Sequence, residues 1–151
     1  MANKLLLIWV KWEEKNTRYA IAFFPFVGVI IGVILYAWNM LCEAVGMSDM
    51  IFAAGAIAIP VLITGGIHID GYMDTIDALA SHTDREKMLE IIKDSRVGAF
   101  AVIFEVVYMI VAFAVFCSCM RAGIIAVCIS FIISRCISGI LATLFPNARK
   151  S

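Results

Sequence analysis

Apolar residues run without a single charge through residues 19–42, a stretch longer than the roughly 20 residues that carry a helix across a bilayer core. Three more apolar runs follow, at about residues 50–67, 97–120 and 122–145, so the hydropathy pattern predicts four transmembrane helices. Pro25, Gly28 and Gly32 interrupt the first of these, and Pro60, Gly65 and Gly66 the second. Breakers inside lipid need neighbouring helices or polar side chains to satisfy the freed backbone groups. The Gly28-x-x-x-Gly32 spacing also permits two helices to approach closely, and ordinary helix packing is the favoured reading of these glycines.

Between the second and third runs lies the one long polar segment, residues 68–96. Before the first run, residues 5–10 are apolar but too few to span. With Trp9, Lys11 and Trp12 beside them they predict an interfacial or re-entrant helix within residues 1–18. The fold class expected is therefore all-α: one polytopic membrane domain over residues 1–151, with about four transmembrane helices and an aspartate-rich helical segment outside the bilayer.

Composition agrees with this pattern. The chain is 63% hydrophobic and 16% charged, against about half and a quarter in soluble domains. Twelve basic and twelve acidic residues cancel, so no bulk attraction toward nucleic acid is implied. Placement of charge says more. With the N-terminus inside, the inner segments hold Lys4, Lys11, Lys15, Arg18, Arg85, Lys87, Lys93, Arg96, Arg149 and Lys150, and the outer ones only Arg121. That asymmetry puts the N-terminus and residues 68–96 on the cytoplasmic side of the cell membrane. The five cysteines sit in or beside apolar runs and read as packing residues; Cys117 and Cys119 lack the spacing of a zinc or redox pair.

The chemistry is concentrated in Thr64-Gly-Gly-Ile-His-Ile-Asp-Gly-Tyr-Met-Asp-Thr-Ile-Asp77. Asp70, Asp74 and Asp77 recur at i, i+4 and i+7, which places all three on one face of a helix. Three like charges repel, and near a membrane their cost is offset when a hard cation such as magnesium binds their oxygens. Solvated acids, or acids favouring a helix dipole, are the competing account, weakest for Asp77, two turns in. His68 points away from the aspartates if the helix reaches back that far, and a structural and a catalytic role for it stand level. Thr83-Asp-Arg-Glu86 matches a capping box opening a short helix. In Asp94-Ser-Arg-Val-Gly98, Arg96 has the fork to grip a phosphate, or serves as a positive-inside anchor, and Gly98 admits close backbone approach. Two charges fall within predicted spans: Glu105 and Arg135 pair across helices, or Arg135 lines a ligand pocket.

These blocks, together with Phe24-Pro-Phe-Val-Gly28, Asp84-Arg-Glu-Lys-Met-Leu-Glu90 and Pro146-Asn-Ala-Arg149, resemble the cobalamin synthase family, the membrane-bound adenosylcobinamide-GDP ribazoletransferases. The resemblance extends over nearly the whole chain and implies a magnesium-dependent transfer. α-Ribazole or its 5′-phosphate attacks the diphosphate of adenosylcobinamide-GDP, GMP leaves, and adenosylcobalamin or its phosphate forms. It implies Asp70, Asp74 and Asp77 as metal ligands, catalysis by these and His68, and substrate contacts from Asp94, Ser95, Arg96, Arg135 and Arg149. Members of that family continue past the Pro-x-Ala-Arg block into further membrane helices. The sequence is therefore expected to be a fragment, truncated product or split subunit, completed by a C-terminal part or by a second copy of itself. Where the family has glycines after the third aspartate, this chain reads Ala78-Leu-Ala-Ser-His82. Two alternatives remain: a CDP-alcohol phosphotransferase, whose alanine-arginine pair is absent here, and a non-enzymatic ion-handling or assembly protein, which would place its acids at the bilayer midplane.

Overall fold

The structure is a computed structural model and describes residues 23–94, 96–120 and 123–145. The predicted interfacial segment within residues 1–18, Ser95 and Arg149 lie outside the described residues. Every described element is a helix: α1 Phe24–Val45, α2 Asp49–Thr64, α3 Ile67–Ala80, α4 Arg85–Ile91, α5 Ala99–Val115, a π-helical turn Phe116–Met120, and α6 Ile124–Leu144. Three of the helical runs, Phe24–Val45, Ala99–Ser118 and Ile124–Leu144, are long and apolar enough to cross a membrane. The pair α2 and α3 passes the same test jointly, but is bent by 91°. Large apolar side chains cover the outside, among them Leu62, Leu144 and Ile110. The chain is an all-helical, polytopic membrane protein.

Pro25 does not interrupt α1; it sits in the first turn, where its missing N–H is no loss. Gly28 and Gly32 are buried against α6. Gly28 faces the backbone of Phe131 and Ile132, while Gly32 faces Cys128, so α1 and α6 run antiparallel at close range. The Cys128 thiol donates to the Gly32 carbonyl at 3.1 Å. Ile31, Leu35 and Cys42 of α1 pack with Phe52 and Ala56 of α2 and Ile124 of α6 to form the core. The Trp38 indole lies over Gly55 and donates to the Phe52 carbonyl at 3.1 Å.

Pro60 is likewise accommodated inside α2, which continues to Thr64. The Thr64 hydroxyl donates back to the Pro60 carbonyl at 2.8 Å. What ends α2 is the glycine pair: Gly65 and Gly66 both take left-handed backbone, with φ of 62° and 76°. That conformation costs other residues about 1–2 kcal/mol each. At 16 residues, α2 rises only about 24 Å, short of the roughly 30 Å hydrocarbon core. From that turn α3 leaves α2 at 91° and runs back along α5, with Tyr72 beside Tyr108 and Asp77 at Gly98 and Ala101.

The expected capping box is displaced by one residue. Asp84, not Thr83, caps α4, its carboxylate accepting from the Lys87 N–H at 2.9 Å. With Lys87 at the third position, no acid reaches back to complete the box. Thr83 instead shares a 2.9 Å hydrogen bond with Ser81. Just before it, His82 has φ of 47°, left-handed backbone.

Candidate functional site

Helix α3 carries Asp70, Asp74 and Asp77 within one helical run, as their spacing requires. Asp70 is exposed, and Asp74 and Asp77 are half-buried. Partial burial, and then the charges of Asp70 and Asp77, hold the Asp74 carboxyl above the usual carboxylate range. This mutual repulsion is the penalty that a bound cation removes.

Asp77 has a further attachment. Its two oxygens accept from the Gly98 N–H at 2.5 Å and the Ala101 N–H at 2.9 Å, at the start of α5. Gly98 is the N-cap of α5 and has no side chain to offer, so a carboxylate from another helix satisfies two of the backbone donors left open there. The dipole that favours Asp77 is that of α5, not of its own helix. A Cβ on Gly98 would fall on the Asp77 carboxylate, which gives the close approach expected at this glycine a definite partner. Hydrogen bonds to a charged group contribute about 1.5–3 kcal/mol each. Asp77→Ala and Gly98→Ala are therefore both expected to lower the melting midpoint of the detergent-solubilised protein. An Asp77→Ala variant melting with the wild type would remove this role.

Among the described residues, no three His, Cys, Asp or Glu side chains converge on a point where they would share a metal. The expected clasp of three carboxylates is thus not assembled as a closed cage. Magnesium is commonly held by one or two carboxylates, with waters and substrate phosphates completing the shell. The pair Asp70 and Asp74, one turn apart and with no hydrogen-bond donor among the described residues drawn to either carboxylate, fits that chemistry.

His68 lies about 180–240° round α3 from the three aspartates and is not brought together with them. It faces α5 and α6, lining one cavity with Arg135 and another with Glu105 and Tyr72. Partial burial, and secondarily the Arg135 charge, pull the imidazole below its ordinary value. Glu105 and Arg135 do not pair: both Glu105 oxygens and the Arg135 Nε are buried without a hydrogen-bond partner. They project into separate cavities with His68 between. Arg96 is exposed and grips Asp94, guanidinium to carboxylate at 2.6 Å, which lowers the Asp94 pKa. So exposed a pair is readily exchanged for a phosphate. Thr64, Tyr72 and Tyr108 also line these cavities. Tyr108 sits in an unbroken apolar run, where no signal in the sequence distinguishes it.

The cobalamin-5-phosphate synthase family matches residues 5–151 of the chain. The chain belongs to this family. An adenosylcobinamide-GDP ribazoletransferase from Lachnoclostridium phytofermentans is 38% identical over the whole chain, which covers 58% of that relative. A protein of the same name from Clostridium perfringens is 38% identical over 69% of the chain and 41% of the relative. One from Halalkalibacterium halodurans is 39% identical over 62% and 35% respectively. The chain thus spans little more than half the length of the curated relatives it matches. No solved structure matches it. The acidic block of this chain occupies α3.

Proposed function

We propose that the chain forms the metal-holding part of an adenosylcobinamide-GDP ribazoletransferase. The observation that carries this reading is an acidic helix, α3, packed along α5 with Asp70 and Asp74 one turn apart, in a chain whose relatives bear that name. Asp70 and Asp74 are the residues that would hold magnesium. When bound, magnesium neutralises charge building up on the diphosphate as phosphorus is transferred. The α-ribazole hydroxyl, free or on the 5′-phosphorylated form, attacks the phosphorus attached to cobinamide. The bond to the GMP oxygen breaks, and GMP departs with the electron pair. The hydroxyl proton passes to a carboxylate of this face, because His68 is on the other side of α3. Asp77 is a positioning residue, fixing the start of α5 against α3. Arg96, exchanging Asp94 for the phosphate, provides the phosphate contacts together with Ser95 and Arg149.

The basic residues flanking the helices support a cytoplasmic aspartate face in the cell membrane, where nucleotide-activated substrates are found. Completion of the corrinoid pocket falls to a C-terminal part or a second copy of the chain. Membranes carrying the chain, supplied with adenosylcobinamide-GDP, α-ribazole and magnesium, should release GMP in step with new corrinoid product. Where the chain alone is inert, the C-terminal part of a relative is added. Turnover of CDP-linked lipid donors in place of the GDP-linked corrinoid would move the assignment to the other phosphotransferase class.

Asp74 also sets a pH dependence of opposite sign with and without metal. Its carboxyl keeps its proton to higher pH than an exposed aspartate does. In metal-free protein the protonated group therefore favours the folded state, and that contribution is lost as pH rises through the folded pKa. A divalent cation binds the carboxylate, so manganese affinity should be full above this pKa and fall on acidification sooner than for an exposed aspartate. Manganese binding followed by electron paramagnetic resonance across pH 4–8 (~) checks the direction. A flat profile contradicts the role given to Asp74.

A further inference from the structure

We propose that the cavity enclosed by α2, α3, α5 and α6 is an anion site that takes a phosphoryl group, separate from the aspartate face of α3. Its centre is Arg135 of α6, only 8% exposed. The Arg135 Nε has no hydrogen-bond partner, and among the described residues no carboxylate pairs with its guanidinium. A buried cation without a counter-charge is one of the costliest placements in a fold, and an ionisable group among membrane helices generally marks a ligand. The acids of α3 and α5 do not supply the missing charge. Glu105 projects into the neighbouring cavity beyond His68, and the α3 aspartates lie on the far side of their helix.

The cavity has the size and lining for a small anionic head. It measures about 170 Å³, below the 300–1,000 Å³ or so of pockets that enclose a drug-sized molecule. Arg135, Thr64, His68 and Tyr108 give it polar walls, while Pro60 and Phe131 close it with apolar surface. The Thr64 hydroxyl already donates to Pro60 and retains lone pairs, so the guanidinium supplies the donors. Its planar fork matches two oxygens of a phosphate. Phosphate reaches this depth from two sources, the head group of a phospholipid or a soluble phosphate ester, and either satisfies Arg135 in the same way.

The experiment uses the full chain, stripped of lipid in dodecyl maltoside and held in phosphate-free buffer with EDTA, so that metal at the aspartate face contributes nothing. Melting is followed against inorganic phosphate and, separately, against dioleoyl phosphatidylglycerol added to the micelles. A rise of several degrees is expected with at least one probe, absent in Arg135→Gln and partly retained in Arg135→Lys. A response to the lipid alone identifies a head group as the ligand, and a response to inorganic phosphate alone a soluble ester; both support the site. Should Arg135→Gln fail to fold, Ala112→Leu, which fills the cavity from α5 and keeps the arginine, should abolish the rise. No rise in the wild type with either probe overturns the proposal, as does an equal rise in either blocking variant.

Discussion

Replacing Asp74 with Asn is expected to lower GMP release by at least about 100-fold, the upper end of what losing even an outer-shell partner of a bound metal costs. The substitution keeps the shape of the side chain and removes only its charge. That charge is already disfavoured in the folded protein, by partial burial and by Asp70 and Asp77 beside it. Asp74→Asn should therefore leave the metal-free protein inserted in the membrane and as stable as the wild type at neutral pH, or more so. Loss of turnover combined with an unchanged or raised melting midpoint assigns Asp74 to the metal. Asp77→Asn should behave in the reverse order, losing stability first, because both Asp77 oxygens hold the start of α5. A rate for Asp74→Asn equal to the wild type's would strike this residue from the site, and with it the pairing of Asp70 and Asp74.

The second large effect is structural. At Gly28 an added Cβ would stand 2.8 Å from the Ile132 Cα and from the Phe131 carbonyl oxygen. Both are main-chain atoms of α6 and cannot rotate aside, so Gly28→Val must push α1 and α6 apart. Overpacking of this kind costs about 3 kcal/mol, and the separation also removes the Cys128 bond to Gly32. At Gly32 the nearest atoms are 3.2 and 3.3 Å away, both on Cys128, and a shift of a few tenths of an ångström admits alanine. Gly28→Val should thus unfold at clearly lower denaturant than Gly32→Ala when both are titrated in mixed micelles. Equal midpoints for the two variants would show that α1 and α6 are not held at this distance.

Much of the architecture is legible before any coordinates exist, because membrane spans are a local property. A charge-free run of sufficient length forms a helix in lipid, since no other conformation satisfies its backbone there. Hence the helical class, the polar segment between the second and third runs, and the presence of Asp70, Asp74 and Asp77 on one helix all follow from residue order. Breakers are less transparent. Pro25, Pro60 and the pair Gly65 and Gly66 look alike as interruptions, yet the first opens a helix, the second is absorbed and the third turns the chain through 91°. The difference depends on position within the helix and on whether left-handed backbone is adopted.

The sequence by itself determined which side chains share a helix face; only the tertiary structure decided what each face meets. Asp77 shares its face with Asp70 and Asp74 but is drawn to α5, where Gly98 leaves open N–H groups. Glu105 and Arg135 lie in predicted neighbouring spans but look into different cavities. His68 turns from the aspartates toward Arg135. Periodicity fixes angles around one helix axis, whereas the rotation of that axis against its neighbours is set by packing between residues far apart in the chain, such as Gly28 against Ile132. No spacing within a single helix carries that information.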